Sequence, residues 1–138
     1  MALVVGTNCG FVTVAPTADP EGEEEDLICN RVMALKVVAP EGATSITEIG
    51  WYSSITSANV NNCYVGLYSH NLGDDEPLNL LGQSDAFSTG TTPGWKKAAV
   101  NIAITPGTTY WIATTMGFAD PCHKIDATDD VGERICID

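Results

Sequence analysis

A chain of 138 residues is long enough for one domain with a single core and too short for two ordinary ones. Eighteen acidic against six basic residues give a formal net charge of -12, which repels phosphate backbones and anionic lipid. That disfavours binding to nucleic acid by counterion release and binding to anionic membrane surfaces. No apolar stretch approaches the roughly 20 residues that span a bilayer, and Met1-Ala2-Leu3-Val4-Val5-Gly6 lacks the basic start and long apolar core of a signal peptide.

In chain order, residues 1 to 16 carry two apolar runs, Leu3-Val4-Val5 and Phe11-Val12-Thr13-Val14, broken by Gly6 and Gly10. They suit an N-terminal arm or edge strand, and residues 17 to 138 are expected to form one domain. The segment from Pro16 to Asp26 is an acidic loop containing Asp19, Glu21, Glu23, Glu24, Glu25 and Asp26. Such a run serves as solvated surface and discourages edge-to-edge pairing. From Leu27 to Val38 the period is ambiguous. Ile28, Val32 and Leu35 have helical spacing, whereas Val32, Ala34 and Val38 share one strand face, and the β-branched pair before Ala39-Pro40 favours extended backbone. Strand is preferred, ended by the turn Ala39-Pro40-Glu41-Gly42.

Ile46 to Ile55 reads as a strand carrying Ile49, Trp51 and Tyr52. Next, Cys63-Tyr64-Val65-Gly66-Leu67-Tyr68 alternates with the period of two that a half-buried strand requires. It sends Cys63, Val65 and Leu67 inward and Tyr64 and Tyr68 to the opposite face. His70 to Pro77 has loop composition, Leu78 to Phe87 is a weaker strand, and Ser88 to Gly94 is a connection. Trp95 to Ile104 follows as a strand with Ala98, Val100, Ile102 and Ile104 inward and Lys97 and Asn101 outward. Thr105-Pro106-Gly107-Thr108 supplies a tight turn, as in a hairpin, into Tyr110 to Met116. Polar sequence then continues to a closing apolar triplet, Ile135-Cys136-Ile137. About seven to nine strands with regularly spaced turns predict an all-β, antiparallel β-sandwich.

Several segments carry a resemblance. They are the strand before Ala39-Pro40-Glu41-Gly42-Ala43, Ile46-Thr47-Glu48-Ile49-Gly50-Trp51-Tyr52, Val65-Gly66-Leu67-Tyr68-Ser69-His70, Gly94-Trp95-Lys96, and Thr105-Pro106-Gly107-Thr108-Thr109-Tyr110-Trp111-Ile112-Ala113. Their order resembles jelly-roll-like β-sandwich modules of phage particle and fibre proteins and of bacterial extracellular proteins. The resemblance implies a jelly-roll-like fold, and a role in decoration, adhesion or carbohydrate binding. It transfers no functional residues.

Aromatic residues are the natural sugar platforms, because a flat ring stacks on the apolar face of a pyranose; the competing role is core packing. Trp51 and Trp111 lie within strands and are assigned to packing. Tyr64, Tyr68 and Trp95 are the candidate carbohydrate contacts. Calcium is a candidate ligand for Asp126, Asp129, Asp130 and Glu133, although their spacing does not match the twelve-residue calcium loop. Five cysteines without a C-x-x-C pair argue against structural zinc. Cys63 is expected in the core. In an oxidising compartment the candidate disulfides are Cys9 with Cys29 and Cys122 with Cys136, and in a reducing one all five are thiols.

Nucleophilic hydrolysis is disfavoured, since His70 and His123 are expected in loops and no G-x-S-x-G elbow is present. Glu48 has no identifiable partner carboxylate for glycoside cleavage. The expectation is a non-enzymatic structural or interaction protein, such as a head-decoration or fibre subunit of a phage or virus particle. It would act through self-association or contact with other particle subunits, in a virion or extracellular setting, and need no cofactor beyond a possible calcium ion. The alternative is a carbohydrate-binding module that takes surface glycans on exposed aromatics.

Overall fold

The computed structural model describes residues 24–25, 32–53, 62–92, 94–115, 122–123 and 134–137, with 24–25, 51–53, 94–95, 122–123 and 134–137 described by backbone alone. The described residues form nine strands: β1 (Glu24–Glu25), β2 (Val32–Val38), β3 (Ser45–Ser53), β4 (Tyr64–Asn71), β5 (Glu76–Gln83), β6 (Gly94–Ala103), β7 (Thr109–Thr115), β8 (Cys122–His123) and β9 (Arg134–Ile137). No described residue is helical, and no helix long and apolar enough to cross a membrane occurs among them. The all-β expectation therefore holds, and every pairing is antiparallel.

The principal sheet runs β5-β4-β7-β2, with β9 beyond β2; β3 pairs with β6 and β1 with β8, and β8 lies beside β3. The pairs are nested along the chain. β4 joins β5, β3 joins β6, β2 joins β7 and β1 joins β8, as in a long hairpin rolled up on itself.

The core fills the space between the principal sheet and the β3-β6 pair, because β2, β3, β4, β6 and β7 each turn apolar residues to it. Val37 on β2, Ile46 and Ile49 on β3, Val65 and Leu67 on β4, Ile102 on β6 and Tyr110 on β7 meet there, together with Cys63, which is 0 % exposed. On β6 the predicted alternation is observed, with Ile102 buried and Lys97 and Asn101 exposed. Ile46 and Ile49 both point inward despite their odd spacing, because a bulge between Ile46 and Glu48 resets the alternation.

Two connections cross between the sheets side by side. Pro40 to Ala43 is a turn closed by Ala43 N–H donating to Pro40 O at 3.1 Å, with Gly42 at φ +84. Thr105 to Thr108 is closed by Thr108 N–H to Thr105 O at 3.2 Å, with Gly107 at φ +71. In both, glycine occupies the turn position that needs a left-handed backbone. The corners are bonded together through Ala39 N–H to Thr108 O and Gly107 N–H to Ala39 O, each 2.9 Å.

Two local expectations are corrected. Thr105 to Thr108 does not close a hairpin, since β6 belongs with β3 while β7 lies between β4 and β2; the turn is a corner between sheets. His70 to Pro77 is not a loop. β4 runs on through His70 to Asn71, β5 begins at Glu76, and only Leu72 to Asp75 form the turn. The Asn and Asp residues act within that turn: Asn71 Oδ1 accepts from Gly73 N–H at 3.0 Å, and Asn71 Nδ2 donates to Asp74 Oδ2 at 2.8 Å.

Candidate binding face

The face of the principal sheet turned away from the main core can be assembled row by row from the strand register. Tyr64 on β4 lies opposite Thr115 on β7, which lies opposite Val32 on β2. In the next row, Gln83 on β5, Gly66 on β4, Ala113 on β7 and Ala34 on β2 are aligned. The third row holds Leu80, Tyr68, Trp111 and Lys36. A row of small residues thus separates two rows of larger ones.

Trp111 occupies much of that row. It is the largest fully buried side chain, at 0 % exposed, and clusters with Ala34 and Ala113, with Val32 and Tyr68 packed alongside. Where Gly66 provides no side chain, an open hollow remains, bordered by Tyr64, Tyr68, Leu80, Gln83, Thr115 and Val32. Its volume of about 40 Å³ admits water or the edge of a ring and not a whole sugar. Tyr64 and Tyr68 are half-buried, and Gln83 is exposed.

A polar cluster closes the far end. The indole Nε1–H of Trp111 donates to His70 Nδ1 at 3.2 Å. An indole N–H can only donate, so Nδ1 must present its lone pair and the ring proton belongs on Nε2. That nitrogen faces Asp75 Oδ1 at 3.4 Å. The other carboxylate oxygen of Asp75 accepts from Lys36 Nζ at 2.7 Å, and the same ammonium stands 5.7 Å from the Trp111 ring centroid. With Asp75 half exposed, the ion pair stabilises by less than about 1 kcal/mol. Its consequence is positional, because it ties the β4-β5 turn to β2 across β7.

The structure thus brings Tyr64 and Tyr68 together on one face, opposite the inward set Cys63, Val65 and Leu67. Trp95 is elsewhere: its backbone lies in β6, opposite Tyr52 of β3. Sequence reasoning assigned none of Gly66, Gln83, His70, Lys36 and Asp75 to this face. The alternation that placed Tyr64 and Tyr68 on one face places His70 there too, and that signal was masked by the loop composition that follows it.

The proposed calcium ligands Asp126, Asp129, Asp130 and Glu133 lie outside the described residues, as do Cys9, Cys29 and the arm at 1–16. Cys122 and Cys136 are described by backbone alone, in β8 opposite Glu25 and in β9 opposite Met33. No group of three or more His, Cys, Asp or Glu side chains able to hold a metal ion occurs among the described residues. Glu48 is exposed and pairs with Lys97 Nζ at 3.1 Å. No family model, curated protein or solved structure matches the chain, so its function has to be argued from this geometry.

Proposed function

We propose that the chain is a non-enzymatic interaction protein, a structural subunit of a larger assembly such as a phage or virus particle, with the fold of an eight-stranded jelly-roll β-sandwich extended by β9. The nested pairing supports the fold: β2, β7, β4 and β5 share one sheet, β3-β6 and β1-β8 are separate pairs, and β8 lies beside β3, where a jelly roll would join the two pairs into its second sheet.

One hairpin carries the functional reading. Among the described residues, the exposed large hydrophobics are Val38, Leu72, Leu78, Leu80 and Leu81. All four leucines lie in the turn and strand at the open edge of the principal sheet. Leu72 is 90 % exposed, and burying a leucine fully is worth about 1.5–3 kcal/mol. Such a concentration at one edge marks a contact surface. The contact is made by side chains, because Pro77 and two register shifts interrupt the backbone ladder that strand addition would use. The acidic field opposes association of like subunits, so the contact should strengthen as salt screens it.

Light scattering of the native chain and of the double variant Leu78→Ser, Leu81→Ser, from roughly 0.05 to 1 M salt, tests this. An oligomer favoured by salt, and reduced to monomer in the variant, is the expected result. A deletion of residues 1–16 serves as a separate arm of the experiment, and dissociation only on that deletion would move the contact to the N-terminal segment. A native chain that remains monomeric throughout would refute self-association.

A further inference from the structure

The geometry points to a second binding site, adjoining the leucine edge at Leu80: the hollow over Gly66 takes a neutral saccharide, held between Tyr64 and Tyr68 and hydrogen-bonded by Gln83 and Thr115.

Three features specify this class of ligand. Tyr64 and Tyr68 stand four residues apart on one face of β4, and at the rise of an extended strand their Cα atoms are ~13 Å apart. That spacing suits an oligosaccharide with a ring at each end and a linking unit over Gly66, where the narrow hollow admits a hydroxyl or a ring edge. Every described side chain bordering the hollow is uncharged. The polar groups available are an amide on Gln83, a hydroxyl on Thr115 and the tyrosine phenols, which together donate to and accept from sugar hydroxyls without meeting a charge. The third feature is the net charge of -12, which disfavours sialylated, sulfated or phosphorylated glycans. Apolar lining with a few convergent polar groups is the usual make-up of a small-ligand site.

Gly66 is what keeps the hollow open. A Cβ there would stand 3.0 Å from Gly82 O and 3.4 Å from both Gln83 Cβ and Leu80 Cδ1, filling the floor and pressing on β5. Trp111 supports the other side. It packs beside Tyr68, its register partner, and is anchored to His70, so the Tyr68 ring is buttressed from the β7 side. Rigid aromatic surface binds without the entropy cost of ordering a flexible one.

The full chain is titrated with cellohexaose, mannohexaose, chitohexaose and sialyllactose, followed by amide chemical-shift mapping and calorimetry. At least one neutral hexasaccharide is expected to perturb the amides of Gly66, Gln83 and Thr115. Tyr64→Ala and Gln83→Ala are each expected to weaken that binding by about tenfold or more, with the far-UV spectrum unchanged. Leu78→Ser with Leu81→Ser is expected to leave it unaltered, which separates this site from the assembly contact. If none of the neutral sugars moves those amides at roughly 10 mM, or if Tyr64→Ala and Gln83→Ala bind as the native chain does, the assignment is wrong. Tighter binding of sialyllactose than of every neutral probe would overturn the ligand class.

Discussion

At the scale of single residues, the buried Ser84 is satisfied by a partner distant in sequence. Ser84 is 5 % exposed and follows the last residue of β5. Its Oγ accepts from Val65 N–H at 3.2 Å, while its own N–H donates to Val65 O at 2.9 Å. The hydroxyl therefore stands in for a ladder carbonyl where β5 ends and β4 continues. Replacing Ser84 with alanine leaves the Val65 N–H buried with no acceptor from that side chain. The expected loss is about 1–3 kcal/mol, read as a lower denaturant midpoint with an unchanged slope. A change below ~0.5 kcal/mol would mean that the amide finds another acceptor.

At the scale of elements, the corners between the sheets matter most. Tyr110 is the first buried residue of β7, and its hydroxyl accepts from Thr105 N–H at 2.9 Å, reaching back to the start of the corner that delivers β7 to its sheet. Tyr110→Phe removes that acceptor and keeps the packing, so a loss of about 1 kcal/mol is expected. Gly107→Ala places a side chain at φ +71, at a cost of about 1–2 kcal/mol. Thermal unfolding of the two variants and their combination checks both values. Because the residues share one corner, the double variant is expected to lose less than the sum.

The strands were largely legible because alternation is a local signal. The inward sets Cys63, Val65, Leu67 and Ala98, Val100, Ile102, Ile104 were readable from spacing alone. Partner choice was not. Pro106-Gly107 specifies a turn and says nothing of which sheet the next strand joins, so a corner read as a hairpin. For the same reason Trp95, expected at the start of the strand that is β6, carried no sign that this strand pairs with β3 and not with the one bearing Tyr64 and Tyr68. The continuation of β4 through His70 was hidden because polar residues there are held by contacts no local window contains, Ser69 Oγ with Asn79 N–H and His70 with Trp111. The hollow was illegible too, since it depends on Gly66, Ala113 and Ala34 aligning across three strands.

At the scale of the whole molecule, the nesting of the pairs has a consequence for how the chain can be divided. Every strand pairing among the described residues joins one strand before Leu72 to one after Asp75. Among the described residues, neither half therefore contains a ladder of its own. A nick at Gly73, within an exposed turn, should yield two polypeptides that are each unstructured alone and regain the native circular dichroism only on mixing, with second-order kinetics. A half that folds by itself would contradict the register described above. By the same geometry, two intact chains can exchange their C-terminal halves about this turn and reproduce all of these pairings between subunits, so that a closed dimer can arise with no new interface.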